Sequence, residues 1–266
     1  MDDVASPRPG SSQPPSDGPE RPAVQAPGLP HGSLPHDFDH RHADVSGGWL
    51  RAAAFGAMDG LVTNTSLLAG VGGAGLAANE IVMSGIAGLA AGAFSMALGE
   101  YASVSTANQQ IDAEVRVERR AQKRHPVSEQ TELVGTFVEM GMSEPTALAA
   151  AAEVHRDPEQ AVTIHLTHEL GVDPTEKPSP LVAGASSFVM FAIGAIIPLI
   201  PYLLGFESLA AGLAVGCGGL LLVGATTSHL TSQPLLRGAI RQLVFGLVAV
   251  GATYLVGHLI GVAVAG

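Results

Sequence analysis

Long apolar segments dominate the chain and alternate with two polar regions. Five of these segments are long enough to span a membrane, at 52–76, 81–107, 181–204, 209–229 and 240–264. A helix of about 20 mainly apolar residues crosses the hydrocarbon core of a bilayer. The pattern therefore predicts an all-α integral membrane protein with five transmembrane helices.

The polar region between the second and third segments has the charge density of a water-exposed domain. Residues 108–180 carry 13 acidic and 7 basic side chains, and alanine and glutamate are frequent. Helix breaks are expected near Pro126, Pro145 and Pro158, because proline starts a helix more readily than it continues one. We expect an extension of the second span followed by three short helices outside the membrane.

The polar region before the first span is of a different kind. Residues 1–45 are rich in proline, glycine and serine and contain almost no large apolar side chains. Such a segment cannot bury enough apolar surface to offset the entropy lost on ordering. We expect a disordered tail, and it lacks the apolar core of a signal peptide.

These patterns divide the chain into four parts. They are the tail (1–45), the first two spans (46–107), the helical domain (108–178) and the last three spans (179–266). The composition agrees, since only 14% of the residues are charged, against roughly a quarter in soluble domains. The 24 acidic and 13 basic residues lie mostly outside the spans, so the negative net charge does not indicate an acidic soluble protein.

Basic residues near the span ends predict the orientation. They are Arg41 and Arg51 before the first span, five residues within 116–124 after the second, and Arg237 and Arg241 between the fourth and fifth. The opposite turns, 72–80 and 205–208, contain no lysine or arginine. We expect a multi-pass protein of the cell membrane. Because lysine and arginine near span ends stay preferentially on the cytoplasmic side, we expect its N-terminus and helical domain in the cytoplasm and its C-terminus outside.

Several classes of function lack their sequence signature. The single cysteine, Cys217, excludes a disulfide framework or a cysteine-based zinc site within one chain. No Gly-x-x-x-x-Gly-Lys-Ser/Thr loop of a nucleotide-driven pump occurs. A membrane-embedded di-iron enzyme would carry Glu-x-x-His motifs on two helices, and neither these nor His-Glu-x-x-His is present.

Asp59 is the clearest candidate for chemistry within the membrane. It lies about one third of the way along the first span, and no span supplies a basic partner. An intramembrane carboxylate is costly and is therefore a functional hypothesis by default. It can bind a cation, carry a proton, or remain protonated in a polar packing contact.

Met96 and Glu100 are four residues apart on the second span and share a face. Together they offer a thioether and a carboxylate to one channel or cavity. Magnesium and calcium prefer oxygen ligands alone, so the thioether modestly favours iron, manganese, cobalt or nickel. Met96 by itself is also typical of a lipid-facing or core position.

The helical domain contains three acidic or imidazole pairs at helical spacing. They are Glu114 with Glu118, Glu129 with Glu132, and His165 with Glu169. Such pairs can bind divalent cations, but surface helices commonly carry them for solubility. A further cluster, in the tail, combines His31, His36, His40 and His42 with Asp37, Asp39 and Asp44. Its irregular spacing in flexible chain suggests a weak or incidental role in metal capture.

Four motifs resemble the vacuolar iron transporter family, including its bacterial members. They are GGWLRAAAFGAMDGLVTNTSL at 47–67, GAFSMALGEY at 92–101, GAIIPLIPY at 194–202 and RQL at 241–243. The similarity extends from about His40 to the C-terminus, with the motifs in the family's order. The resemblance implies a five-span homodimer that exchanges cytosolic iron(II), and often manganese(II), for protons. Its ion path lies at the interface between the two copies.

The resemblance also implies roles for single residues. Asp59 and Met96 match the family's intramembrane metal ligands. The matches to glutamates of its cytoplasmic metal-binding domain are Glu118, Glu129, Glu132 and Glu169. The resemblance therefore favours a metal-binding role over a solubilising role for those four side chains.

Four residues depart from the family pattern. Gly88 stands where plant members have a pathway glutamate, Ala121 stands at another domain glutamate, and His165 with Leu166 replaces two methionines. Glu114 and Glu100 are candidates to supply the lost carboxylates, and His165 can still ligate. Glu100 cannot simply replace a residue at position 88, because twelve helical residues span about 18 Å.

We therefore predict a divalent transition-metal transporter, not an enzyme. It would export iron(II), with manganese(II) as a second cargo, in exchange for protons, and hold no permanent cofactor. Zinc(II) and cobalt(II) are further candidates at the cytoplasmic domain. Its expected partners are a second copy of the chain, metal ions, protons and membrane lipid, with no nucleic acid. The alternatives are a membrane metal sensor or scaffold that transports nothing, and a membrane-embedded metalloenzyme.

Overall fold

The computed structural model describes residues 48–265, a part of the chain that contains helices and no strand. The helices are α1 (Trp49–Gly73), α2 (Ala78–Arg124), α3 (Pro126–Glu139), α4 (Glu144–Val154), α5 (Pro158–Leu170), α6 (Pro180–Ile196), α7 (Ile200–Leu203), α8 (Leu209–Leu230) and α9 (Leu235–Ala265). A 3₁₀ turn at Ile197–Leu199 joins α6 to α7. The predicted disordered tail and its histidine cluster lie outside the described residues.

Four segments within 48–265 are long and apolar enough to cross a membrane. They are α2, the continuous segment from α6 to α7, α8 and α9. This finding supports the predicted all-helical membrane protein. The helix at the first predicted span, α1, is not one of the four.

The central position of α1 explains its lower hydropathy. At 25 residues it is about 37 Å long, enough to cross a bilayer. It carries Arg51, Asp59 and a polar run at 63–66. However, it packs against α2, α6, α8 and α9, and many of its residues between Ala52 and Ala69 are buried. A helix surrounded by other helices need not present an apolar surface to lipid.

The second helix is too long to lie wholly within a bilayer. Its 47 residues extend about 70 Å, whereas a bilayer with its headgroups is about 40–45 Å thick. The C-terminal part of α2 therefore projects beyond the membrane and packs against α3 and α5. These helices form the predicted region between the second and third spans.

The expected prolines start the helices of this region. α3 begins at Pro126 and α5 at Pro158, while α4 begins at Glu144, one residue before Pro145. α3 and α4 pack through a small apolar core of Leu133, Phe137, Ala147 and Ala151. α5 lies against α2, which brings charged residues distant in the sequence onto facing helices.

Glycine allows a close approach between α1 and α6 beside Asp59. A Cβ atom at Gly60 would lie 2.2 Å from the carbonyl oxygen of Phe191, whereas one at Gly218 on α8 would meet no atom within 4 Å. We expect Gly60→Ala to destabilise the protein by about 1–3 kcal/mol, the usual range for overpacking. Gly218→Ala should be neutral or slightly stabilising, since alanine favours helix.

The stability of both glycine variants is measured by thermal unfolding in detergent, with circular dichroism as the signal. Equal unfolding temperatures for Gly60→Ala and Gly218→Ala would contradict the packing argument.

Candidate metal centres

A cavity of about 350 Å³ lies between α1 and α2 within the predicted membrane region. The three predicted pathway residues, Asp59, Met96 and Glu100, all line it. We call it the α1–α2 cavity. The hydroxyl of Thr63, one turn after Asp59, donates a hydrogen bond of 3.2 Å to the Asp59 carboxylate. The fold thus assembles the intramembrane residues that the sequence singled out.

The α1–α2 cavity opens on the surface of the helix bundle. Asp59 is half-buried, and its neighbours in the cavity wall, Phe55, Thr63, Ser95 and Gly99, are exposed. A carboxylate that faces hydrocarbon is costly unless a cation, a proton or another protein surface compensates it. The opening therefore marks the side of the bundle where such compensation is needed.

Glu100 forms an ion pair that sequence analysis did not predict. Arg51, in the first turn of α1, donates from its guanidinium to Glu100 Oε1. The Glu100 side chain is 12% exposed and that of Arg51 is 66% exposed. The pair therefore lies where the α1–α2 cavity meets the surface, and a metal ion that approaches Glu100 must compete with this guanidinium.

A second group of candidate ligands joins α2 to α5. Potential ligand atoms of Glu118, His165 and Glu169 all lie within 4.8 Å of one another. His165 Nδ1 is 3.0 Å from Glu169 Oε1 and 3.6 Å from Glu118 Oε1. Ligands on opposite sides of a first-row metal ion are about 4.2 Å apart, so small side-chain movements allow one ion to be shared. We call these three residues the α2–α5 cluster.

Two residues of the α2–α5 cluster are shielded from water, whereas Glu169 is exposed. His165 is 1% exposed and Glu118 is 7% exposed. Burial raises the pKa of Glu118, and the nearby carboxylates of Glu129 and Glu169 raise it further. A hydrogen bond from Gln122 and the His165 ring act in the opposite direction. A divalent cation would relieve both the burial of charge and the repulsion between the carboxylates.

The other predicted domain residues lie outside this cluster. Glu129 is half-buried and close enough for its charge to act on Glu118, whereas Glu132 is exposed on the same helix. Glu114 is exposed and lines a separate, mainly apolar cavity beside Leu166 and Leu170. The structure thus joins the predicted pair His165 and Glu169 to Glu118, one member of a second predicted pair, with Glu129 nearby.

Comparison with known proteins identifies the family. The model described as "VIT family" matches residues 50–258. The chain belongs to the VIT family.

Individual relatives agree over most of the chain. A protein named vacuolar iron transporter from Acanthamoeba castellanii is 32% identical over 83% of this chain and 82% of its own length. Vacuolar iron transporter 1 of Arabidopsis thaliana is 27% identical over 79% of this chain and 85% of its own. Vacuolar iron transporter homolog 1 of Oryza sativa subsp. japonica is 32% identical over 80% of this chain and 74% of its own length. These relatives are named as transporters, not as enzymes, which supports the prediction of a non-enzymatic protein.

At one departure from the expected pattern, Gly88 faces α1. A Cβ atom at Gly88 would lie 2.5 Å from a terminal carbon of Leu67 on α1. A glutamate at this position would therefore require the flexible end of the Leu67 side chain to move. At a second departure, His165 lies within the α2–α5 cluster and offers an imidazole nitrogen there.

Sequence reasoning missed two contacts at these centres. Gln122 donates to Glu118 Oε1 at 3.1 Å, and its spacing of four residues along α2 was a usable signal. The pair between Arg51 and Glu100 joins residues 49 positions apart. No local pattern indicates that pair, because it depends on how α1 and α2 pack.

Proposed function

We propose that this VIT protein is a divalent transition-metal transporter that exports iron(II), and also manganese(II), from the cytosol in exchange for protons. The observation that carries the proposal is the α1–α2 cavity, which gathers Asp59, Met96 and Glu100. Carboxylate oxygens and one thioether suit borderline first-row metals. The names of the relatives as iron transporters give independent support.

In this proposal α1 also crosses the membrane, which adds a fifth span to the four candidates. A second copy of the chain covers the α1–α2 cavity. The segment of α2 that lies in the membrane is mostly exposed in a single chain. Burying that surface against a second copy would remove the half-buried Asp59 from lipid contact. It would also place two sets of ligands across one path, which gives a transported ion more of the ligands it needs.

The α2–α5 cluster would collect metal ions before they enter the membrane. In the proposed orientation the C-terminal part of α2 and the helices α3, α4 and α5 are cytoplasmic. Glu118, His165 and Glu169 supply two carboxylates and an imidazole, a set that binds iron(II), manganese(II), zinc(II) and cobalt(II). Glu129 and Glu132 on α3 extend the negative surface towards incoming cations.

Exchange follows from competition for one carboxylate. Ionised Asp59 holds a divalent cation in the α1–α2 cavity, and a proton that arrives from the far side neutralises this charge. The metal ion then loses its main electrostatic attraction and leaves. Metal and proton thus cannot occupy Asp59 together, so movement of one drives movement of the other.

Flux into proteoliposomes tests this proposal. Purified protein is reconstituted, a pH gradient is imposed, and uptake of iron(II) and manganese(II) is measured together with internal pH against protein-free liposomes. Metal uptake coupled to proton movement is expected. Folded protein that binds metal but shows no flux of either ion would overturn transport and favour the metal sensor or scaffold instead.

A further inference from the structure

A pair of histidine rings beside the α2–α5 cluster contains two buried nitrogen atoms that lack a hydrogen-bond partner. His155 directly follows α4, and the centroid of its ring lies 5.4 Å from that of the His165 ring, with the two ring planes at 90°. The Nε2 atoms of both rings are buried and have no hydrogen-bond partner in the structure. Buried polar atoms are rarely left unpaired, so two in neighbouring rings need a physical explanation.

The hydrogen bonds of the other ring nitrogens provide that explanation. His155 Nδ1 lies 2.9 Å from the carbonyl oxygen of Ala151, which can only accept, so this nitrogen carries the proton. His165 Nδ1 lies 3.0 Å from the Glu169 carboxylate and likewise donates. In neutral imidazoles both Nε2 atoms then hold lone pairs. Neither of these two atoms can then donate to the other, and in the structure they are not in hydrogen-bond geometry with each other.

A metal ion on His165 Nδ1 would remove this conflict. Coordination uses the Nδ1 lone pair, so the single proton of the neutral His165 ring moves to Nε2. His165 Nε2 then becomes a donor, while His155 Nε2 remains an acceptor. Two rings joined by a linear N–H···N bond have centroids roughly 5 Å apart, given an N···N distance of about 3 Å. The observed centroid separation of 5.4 Å is compatible with such a bond once the two rings turn their Nε2 atoms towards each other.

We propose that His155 is a positioning residue for metal binding: it accepts a hydrogen bond from Nε2 of metal-bound His165 and so fixes that ring. The inference rests on the proposed metal binding at the α2–α5 cluster. It links α4, which contributes no ligand to the cluster, to the metal ion through His165. Partners of this kind hold the ligand ring in orientation and make it a stronger base, and their loss typically lowers metal affinity 10–100-fold.

Cobalt(II) titration of the full-length protein in detergent tests this inference. Cobalt(II) reports ligation through its visible absorption, and Glu118→Gln identifies the absorption that belongs to the α2–α5 cluster. His155→Phe keeps a ring but removes the acceptor, while His155→Gln places an amide oxygen near the position of Nε2. Exposed His168, on the same helix as His165, provides the control His168→Gln.

We expect His155→Phe to weaken cobalt(II) binding about 10–100-fold, and His155→Gln to recover most of the affinity. In a His165→Ala background, His155→Phe should have no further effect, because the hydrogen bond is already absent. Wild-type affinity in His155→Phe would overturn the inference. So would equal losses in both His155 variants, or additive losses with His165→Ala, because either result indicates only a structural role. If the wild type shows no Glu118-dependent absorption, metal binding at the cluster fails as well.

Discussion

Asp59→Asn is expected to reduce metal uptake to the level of protein-free liposomes. Asparagine keeps the size and the hydrogen bond with Thr63 but removes the negative charge. A unit charge pair at 4 Å contributes about 4 kcal/mol at an effective dielectric constant of 20, and a divalent ion about twice that. Even a fraction of this loss weakens binding in the α1–α2 cavity by orders of magnitude.

The matched control for Asp59→Asn is Glu207→Gln, which makes the same chemical change in the exposed turn before α8. Both variants are compared with wild type for elution volume, unfolding temperature and uptake of iron(II) and manganese(II). We expect all three proteins to fold alike and only Asp59→Asn to lose flux. Uptake near the wild-type rate in Asp59→Asn would show that this carboxylate is not on the ion path.

Glu118→Gln has the second largest expected effect, on metal affinity. Glu118 is the buried carboxylate of the α2–α5 cluster and is 7% exposed. Changes in partners that only support a ligand cost about 10–100-fold in affinity, so loss of a direct ligand should cost at least as much. Cobalt(II) or manganese(II) titration of the solubilised protein measures this. Glu139→Gln, at the exposed end of α3, is the matched comparison.

The same residue predicts the direction of the pH dependence. Metal and proton compete for the Glu118 oxygens, and burial raises the pKa of this carboxyl above its ordinary value. Metal affinity is therefore greatest above the raised pKa and falls as pH drops through it. This fall should begin at a higher pH than the usual glutamate pKa of about 4.3 would give. An unchanged pH dependence of metal affinity in Glu118→Gln would contradict this account.

Glu118→Gln should not destabilise the metal-free protein. The ionised carboxylate is disfavoured where it is buried beside Glu129 and Glu169, whereas glutamine is neutral. The unfolding temperature of metal-free Glu118→Gln should therefore equal or exceed that of the metal-free wild type. A lower value would indicate that loss of binding comes from loss of fold.

Local chemistry was sufficient to predict most of the helices. Pro126 and Pro158 begin α3 and α5 as expected, because proline has no amide hydrogen to donate and suits the first turn of a helix. Segment length and hydropathy predicted the spans later found as α2, α6 with α7, α8 and α9. These features are properties of consecutive residues, so they can be read without knowledge of the fold.

Helical spacing also predicted parts of both centres. Met96 and Glu100 share a face of α2, and His165 and Glu169 share a face of α5, as a spacing of four requires. The structure adds which faces meet: Asp59 joins the first pair and Glu118 joins the second. Glu114, one turn before Glu118 on α2, lies outside the cluster because α5 presents the apolar side chains of Leu166 and Leu170 there.

The sequence by itself determined the helices, the candidate spans and the chemical character of the ligands, because these depend on the composition and spacing of neighbouring residues. The tertiary structure alone decided that Arg51 pairs with Glu100, that α1 lies at the centre of the bundle, and that the rings of His155 and His165 meet. Such contacts depend on how helices pack across tens of residues, where interactions between side chains of different helices outweigh any local preference.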